Sequence, residues 1–152
     1  MTPSQLRYRV VAERISWVQE MIRSIRRLLP GTYEQFCADP RNPAAAESYL
    51  RRGLEALLDL GRHILAKGYG VGVTEYKEIV RELAHAGVLS EEDAARMRQL
   101  AGYRNRLVHF YQEVSSKELY DICRFDLKDI ESVLEALTRW LKSNPDRLDR
   151  RL

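Results

Sequence analysis

Val11, Ile15, Val18, Ile22, Ile25 and Leu29 follow one another at spacings of four and three residues, the repeat that lays an apolar stripe along one side of an α-helix. The same period returns in Leu50, Leu54, Leu57, Leu58, Ile64 and Leu65, and again in Leu119, Ile122, Leu127, Ile130, Leu134, Leu137 and Leu141. No stretch alternates apolar and polar residues over the length that a half-buried strand needs. A chain patterned this way buries its stripes by packing helix on helix, and short connections make neighbours antiparallel. The expectation is an all-α antiparallel bundle of four to five helices.

Punctuation between the stripes sets the boundaries. Pro30-Gly31 ends a first helix running from Ser4 to Leu29, because proline cannot continue a helix and glycine supplies the turn. The chain to Arg41 then reads as a connection with a short turn. Asn42-Pro43 opens a second helix reaching about Lys67, with Asn as the cap and Pro in the first helical position. Gly68-Tyr69-Gly70-Val71-Gly72 is a loop. It lacks the GxxxxGK[ST] pattern and follows a helix rather than a strand, so it is not a phosphate loop. Thr74 caps a shorter helix over Glu75–Ala86, closed by Gly87. Ser90-Glu91-Glu92-Asp93 opens a helix to about Tyr111, and Ser115-Ser116-Lys117-Glu118 is a capping box for a last one that Asn144-Pro145 stops.

The 152 residues fit one domain, read as residues 1–145 followed by a frayed basic tail over 146–152 that carries Arg147, Arg150 and Arg151. A hydrophobic share of 45% with 31% charged residues is that of a folded chain. No apolar run approaches the roughly 20 residues that span a bilayer, and the first residues lack a signal-peptide stretch, so a cytoplasmic protein is expected. Cys37 and Cys123 lie far apart without metal-ligand spacing, which points to incidental thiols and to no metal or other cofactor. A net charge of +3 and a pI near 8.9 permit a nucleic-acid partner without requiring one.

Of the three histidines, His63 and His85 sit in ordinary helical surroundings, the latter near a helix end where a cation suits the dipole. His109 stands in Arg104-Asn105-Arg106-Leu107-Val108-His109-Phe110-Tyr111, a dense mixture of guanidinium, amide, imidazole and phenol. At about 100° per residue, Arg98, Gly102, Asn105, His109 and Gln112 share a polar stripe. Ala94, Met97, Ala101, Val108 and Tyr111 form a neighbouring stripe that should face the core. Arg104 and His109, five residues apart, are separated by about 140°. Either the arginine curls back, or a second copy supplies the missing partner across a two-fold axis. A solvated helix face accounts for the polar stripe equally well. If it has chemistry, histidine can move a proton near neutral pH and arginine can clamp phosphate oxygens. That pair suits RNA, whose 2′-hydroxyl is a built-in nucleophile.

The octet Arg104 to Tyr111 resembles the Arg-x4-His-x-Tyr motif of the HEPN superfamily, in particular the HepT-like toxins that pair with a minimal nucleotidyltransferase (MNT) antitoxin. Leu54 to Gly68, Tyr76 to Gly102 and the Leu119-Tyr120-Asp121-Ile122 helix resemble the flanking segments of that family, so the similarity spans roughly residues 45 to 141. The resemblance implies a HEPN-type bundle and a homodimer whose motif helices meet at a cleft. It further implies metal-independent endoribonuclease activity on RNA. Arg104 would bind the scissile phosphate, His109 would be the general acid or base, and Asn105 would orient one of them. Tyr111 matches the tyrosine that the antitoxin can adenylylate; from spacing alone it is equally a core-facing aromatic. Where the family often has an acidic residue a few positions later, Val114-Ser115 stands here. The other reading of the same family is a non-catalytic HEPN dimer that binds a nucleotidyltransferase or nucleotide.

Overall fold

A computed structural model describes residues 6–29 and 31–149, without the side chains of Leu6, Tyr111, Leu148 and Asp149. Seven α-helices occupy most of it: α1 (Tyr8–Leu28), α2 (Tyr33–Ala38), α3 (Arg41–His63), α4 (Tyr76–His85), α5 (Glu91–His109), α6 (Ser116–Phe125) and α7 (Leu127–Ser143). The all-α bundle expected from the sequence is the fold observed. Two of the helices exceed the expected five. Thr32 and Gln35 form a reciprocal capping box that starts α2 within the expected connection. The expected last helix is divided at Asp126 between α6 and α7.

α3 is the hub. It packs along α1 and touches α4, α5, α6 and α7, and Leu50, Leu54, Leu57, Leu58 and Leu60 on it are completely buried. Fully burying a leucine side chain contributes about 1.5–3 kcal/mol, so this one helix supplies much of the apolar burial. Gly61 lets the neighbours close on it: a Cβ there would lie 2.8 Å from Leu83 Cδ1 of α4 and 3.3 Å from Met97 Cε of α5. Past His63 the helix does not end near Lys67 but widens into a π-helical turn over Ile64–Tyr69, closed by Gly70 at φ 68°. Gly87, at φ 77°, closes α4 in the left-handed conformation that glycine tolerates.

Ser90 and Ser115 cap α5 and α6 by accepting from the backbone N–H of Asp93 and Glu118. Thr74 and Asn42 make no such caps: α4 begins after Glu75, and α3 begins at Arg41. The Asn42 amide instead donates to the Phe36 carbonyl at 3.2 Å and ties α2 to α3. Pro145–Arg147, which leads into the tail expected over 146–152, forms a 3-10 turn, and Leu148–Asp149 of that tail pairs in parallel with Leu6–Arg7. Arg147 donates to the Gly68 carbonyl and lies over the Tyr69 ring. Residues 150–152, Pro30 and the first residues fall outside the described part. No described helix is long and apolar enough to cross a membrane.

His63, at the end of α3, accepts a hydrogen bond from the Arg7 backbone N–H at 3.4 Å. Burial, followed by the charges of Lys67, Arg14 and Arg7, holds its pKa below the ordinary histidine value. The unfolded chain therefore takes up a proton that the folded chain refuses, and stability drops as pH falls below about 6.5. Asp59 runs the other way at more acid pH, since burial raises its carboxyl, so the histidine contribution is isolated by difference. Between pH 7 and pH 5 the melting temperature should fall further in the wild type than in His63→Gln. Equal falls in both would overturn this assignment.

Candidate active site

α5 carries the residues singled out by the sequence. Its buried side holds Ala94, Met97, Leu100, Ala101 and Leu107. The core stripe thus runs through Leu107, and Val108, expected to face inward, is 37% exposed. Angle is not the reason, since at about 100° per residue Val108 lies between Met97 and Ala101; it stands in the last turn of α5, one residue before the helix ends, where packing partners run out along the axis. The helix stops at His109, short of the expected Tyr111. Phe110 donates its N–H to the Arg106 carbonyl at 2.8 Å, and Tyr111–Glu113 tightens into a 3-10 turn. Arg106 braces this end of the helix by a two-pronged pair with Glu118 of α6, one prong at 2.9 Å.

Arg104, Asn105 and His109 line one cleft of about 550 Å³. Phe110 joins them from just past the end of α5, Arg62 from α3, and Thr74 to Lys77 from the segment that begins α4. The divergence expected from five-residue spacing is therefore reconciled within one protomer. Arg104 is long enough to lean across the cleft, where its guanidinium carbon stands 4.6 Å from the Tyr76 ring centroid. Its Nη1 donates to Asn105 Oδ1 at 3.3 Å and its Nη2 to Glu55 Oε2 at 3.4 Å. His109 is exposed at the rim. Its ring meets Phe110 edge-on, 6.5 Å between centroids. Tyr111 starts the 3-10 turn two residues on, and its side chain lies outside the described structure.

Three participants were not apparent in the sequence. Arg62 donates to Asp59 at 2.9 Å and to the Thr74 carbonyl at 3.0 Å, and its guanidinium carbon lies 5.2 Å from the same Tyr76 ring. Lys77 adds a further cation at the wall. Nothing in the sequence links these residues to Arg104, because the π-helical turn and the loop after it decide where α4 begins. Each arginine keeps a buried Nε without a hydrogen-bond partner in the protomer. An unmet buried donor costs about 1–3 kcal/mol, which attraction between cation and ring face offsets in part. Opposite these cations stand Glu55 and Asp59, and burial holds the Asp59 carboxyl above its usual range despite Arg62. No group of three or more His, Cys, Asp or Glu side chains among the described residues is arranged to hold a metal ion.

The sequence pattern that defines ribonuclease HepT-like proteins matches residues 18–137. The chain belongs to that family. The HepT-like match spans α2 to α6 whole, with about half of α1 and most of α7, and so takes in every side chain of the cleft. Solved structures share the fold. One is a tri-AMPylated Shewanella oneidensis HEPN toxin in complex with MNT antitoxin. It has a TM-score of 0.76 at 21% identity, over 86% of this chain and 97% of that one. A toxin–antitoxin crystal structure with AMP-PNP has a TM-score of 0.76 at 20% identity, over 84% and 97%. YutE from Bacillus subtilis, a cytosolic protein of unknown function, matches with TM-score 0.76 at 16% identity, over 92% and 94%. A comparison with curated protein sequences finds no match. At these identities the likeness speaks for the HepT-like fold alone.

Proposed function

We propose that this HepT-like chain is the toxin of a toxin–antitoxin pair, a metal-independent endoribonuclease that cleaves RNA at a cleft beside a homodimer seam. The observation that carries the reading is the meeting of Arg104, Asn105 and His109 at one cleft. In the reaction, the 2′-hydroxyl oxygen attacks the adjacent phosphorus and the bond to the 5′-oxygen breaks, leaving a 2′,3′-cyclic phosphate and a 5′-hydroxyl. The attacking hydroxyl loses a proton and the departing oxygen gains one. The His109 imidazole, exposed and without a hydrogen bond to another described residue, serves one of these transfers. Arg104 offers its N–H edges to the non-bridging oxygens as charge builds on them, and Asn105, in contact with Arg104 Nη1, orients it. Incubation of the protein with total RNA in excess chelator should give discrete fragments ending in cyclic phosphate. Intact RNA under those conditions would favour the non-catalytic dimer.

The partner in this reading is an MNT-type nucleotidyltransferase, the kind of antitoxin found with the Shewanella toxin. Tyr111 lies two residues past His109 at the end of the motif helix. Attack of its phenolic oxygen on the α-phosphorus of ATP would release pyrophosphate and leave AMP on the tyrosine. That adds bulk and negative charge beside a cleft built for a phosphate, so RNA is repelled and blocked together. With partner and ATP, the protein should gain whole multiples of AMP mass, mapped to Tyr111 and lost in Tyr111→Phe. Addition at another residue, or none, would refute the assignment.

A further inference from the structure

An arginine that clamps phosphate has to be held still while keeping its N–H edges free. A carboxylate partner holds it by consuming those edges and cancelling its charge; an aromatic face holds the guanidinium plane and consumes none. Arg104 is held mainly in the second way. Its two polar contacts are long, at 3.3 and 3.4 Å, and the carboxylate it touches, Glu55, is already paired with Arg51 at 2.9 Å through the other oxygen. Its contact with the Tyr76 ring, by contrast, is closer than that of Arg62, 4.6 against 5.2 Å.

Arg62 is engaged differently. One Nη bonds Asp59 on α3 and the other bonds the Thr74 carbonyl, two residues before Tyr76 at the first position of α4. Those bonds tie the entry of α4 to α3 and leave both terminal nitrogens of Arg62 occupied. Two arginines of the same cleft thus differ in how firmly their terminal nitrogens are held, at 2.9 and 3.0 Å for Arg62 against 3.3 and 3.4 Å for Arg104, so Arg104 is the one more easily released to a ligand.

We propose that Tyr76 is the positioning residue for Arg104, and that Arg62 is the strut that fixes Tyr76 rather than a second phosphate ligand. This rests on the ribonuclease reading for its substrate, but it is tested by binding alone. An incoming RNA phosphate displaces the long Glu55 contact and meets a guanidinium whose plane the ring has already set.

The test measures affinity for a single-stranded RNA made uncleavable by 2′-O-methylation, across a salt series. Tyr76→Phe, which keeps the ring, should bind as the wild type does. Tyr76→Leu should bind about tenfold more weakly, and Arg62→Gln should weaken binding similarly by freeing the ring. In both, the slope of log affinity against log salt should stay at the wild-type value, because no phosphate contact is lost. Arg104→Ala should make the slope shallower by about 0.7, the loss of one phosphate contact on a single strand. The proposal is overturned if the wild type does not bind this RNA, if Tyr76→Leu binds as tightly as the wild type, or if Arg62→Gln lowers the slope as Arg104→Ala does. Thermal unfolding of each variant checks the fold. Should Tyr76→Leu unfold, Tyr76→Phe and Arg62→Gln decide the outcome. Binding of the uncleavable RNA by a wild type that cuts no cleavable RNA would remove the ribonuclease reading and leave the positioning role standing.

Discussion

On the proposed mechanism, alanine at His109 should lower the rate of RNA cleavage by about 10²–10⁴-fold, the ordinary loss when a positioned acid or base is removed, and alanine at Arg104 should cost a comparable factor through the lost charge clamp. Both proteins should keep the wild-type melting temperature to within a few degrees. His109 is exposed at the last position of α5, so no packing depends on it. Arg104 is more covered, at 18% side-chain exposure, yet its removal strands no buried charge, since Glu55 retains Arg51 at 2.9 Å. Initial rates in excess chelator, measured beside circular dichroism melts, check the prediction. Cleavage that survives His109→Ala, or that depends on added magnesium, would sink the proposed mechanism. A variant inactive because it has unfolded would be identified by its melt.

What was legible in the sequence was the part governed by period and by caps. The stripes of α1, α3 and α7 predict their buried faces, and Ser90 and Ser115 cap their helices as their patterns require. α2 was legible too, in Thr32 and Gln35, but a six-residue helix leaves too short a stripe to draw notice. The division at Asp126 was not. Its carboxylate accepts from the Tyr103 hydroxyl at 3.0 Å, a partner 23 positions away, and the apolar period continues across the break. Only the tertiary arrangement reveals that one stripe serves two helices.

The site divides along the same line. Arg104, Asn105 and His109 belong to one local octet, so their type and spacing pointed to phosphate and proton chemistry before any fold was considered. Their geometry was left between two alternatives, an arginine that curls back and a partner from a second copy, because angular position on a helix describes where a side chain leaves the backbone, not where its end arrives. An arginine reaches several ångströms, and Arg104 uses that reach to lie over Tyr76. Arg62 and Tyr76 were beyond sequence reading altogether. They sit 14 residues apart on either side of the π-helical turn and a loop, and no helical period relates positions across such a break. A site built half from a local motif and half from a distant element is legible by half.

Two glycines on the helices that frame the cleft should respond to substitution in opposite directions. At Gly61 a Cβ would come within 2.8 Å of Leu83 Cδ1 and 3.3 Å of both Ile79 Cγ2 and Met97 Cε, and all three neighbours are fully buried, with no room to retreat. Gly61→Val should therefore destabilise by about 1–3 kcal/mol through overpacking, or several degrees of melting temperature for a chain of this size. Because Gly61 adjoins Arg62 and its neighbours lie on α4 and α5, the same wedge should also part the three helices that carry Arg62, Tyr76 and Arg104, weakening RNA binding even at temperatures where the variant is folded. At Gly102 nothing lies within 4 Å of the added Cβ, so no packing within the protomer calls for glycine there. Alanine should stabilise α5 by roughly 0.5–1 kcal/mol, the usual gain over glycine inside a helix. If Gly102 instead serves the close approach of a second motif helix in the proposed homodimer, Gly102→Leu should shift the protein toward monomer in sedimentation while its helical content is unchanged. A Gly102→Leu protein that remains dimeric would remove Gly102 from the seam, and a Gly61→Val protein as stable as the wild type would show that α4 and α5 can yield where the packing says they cannot.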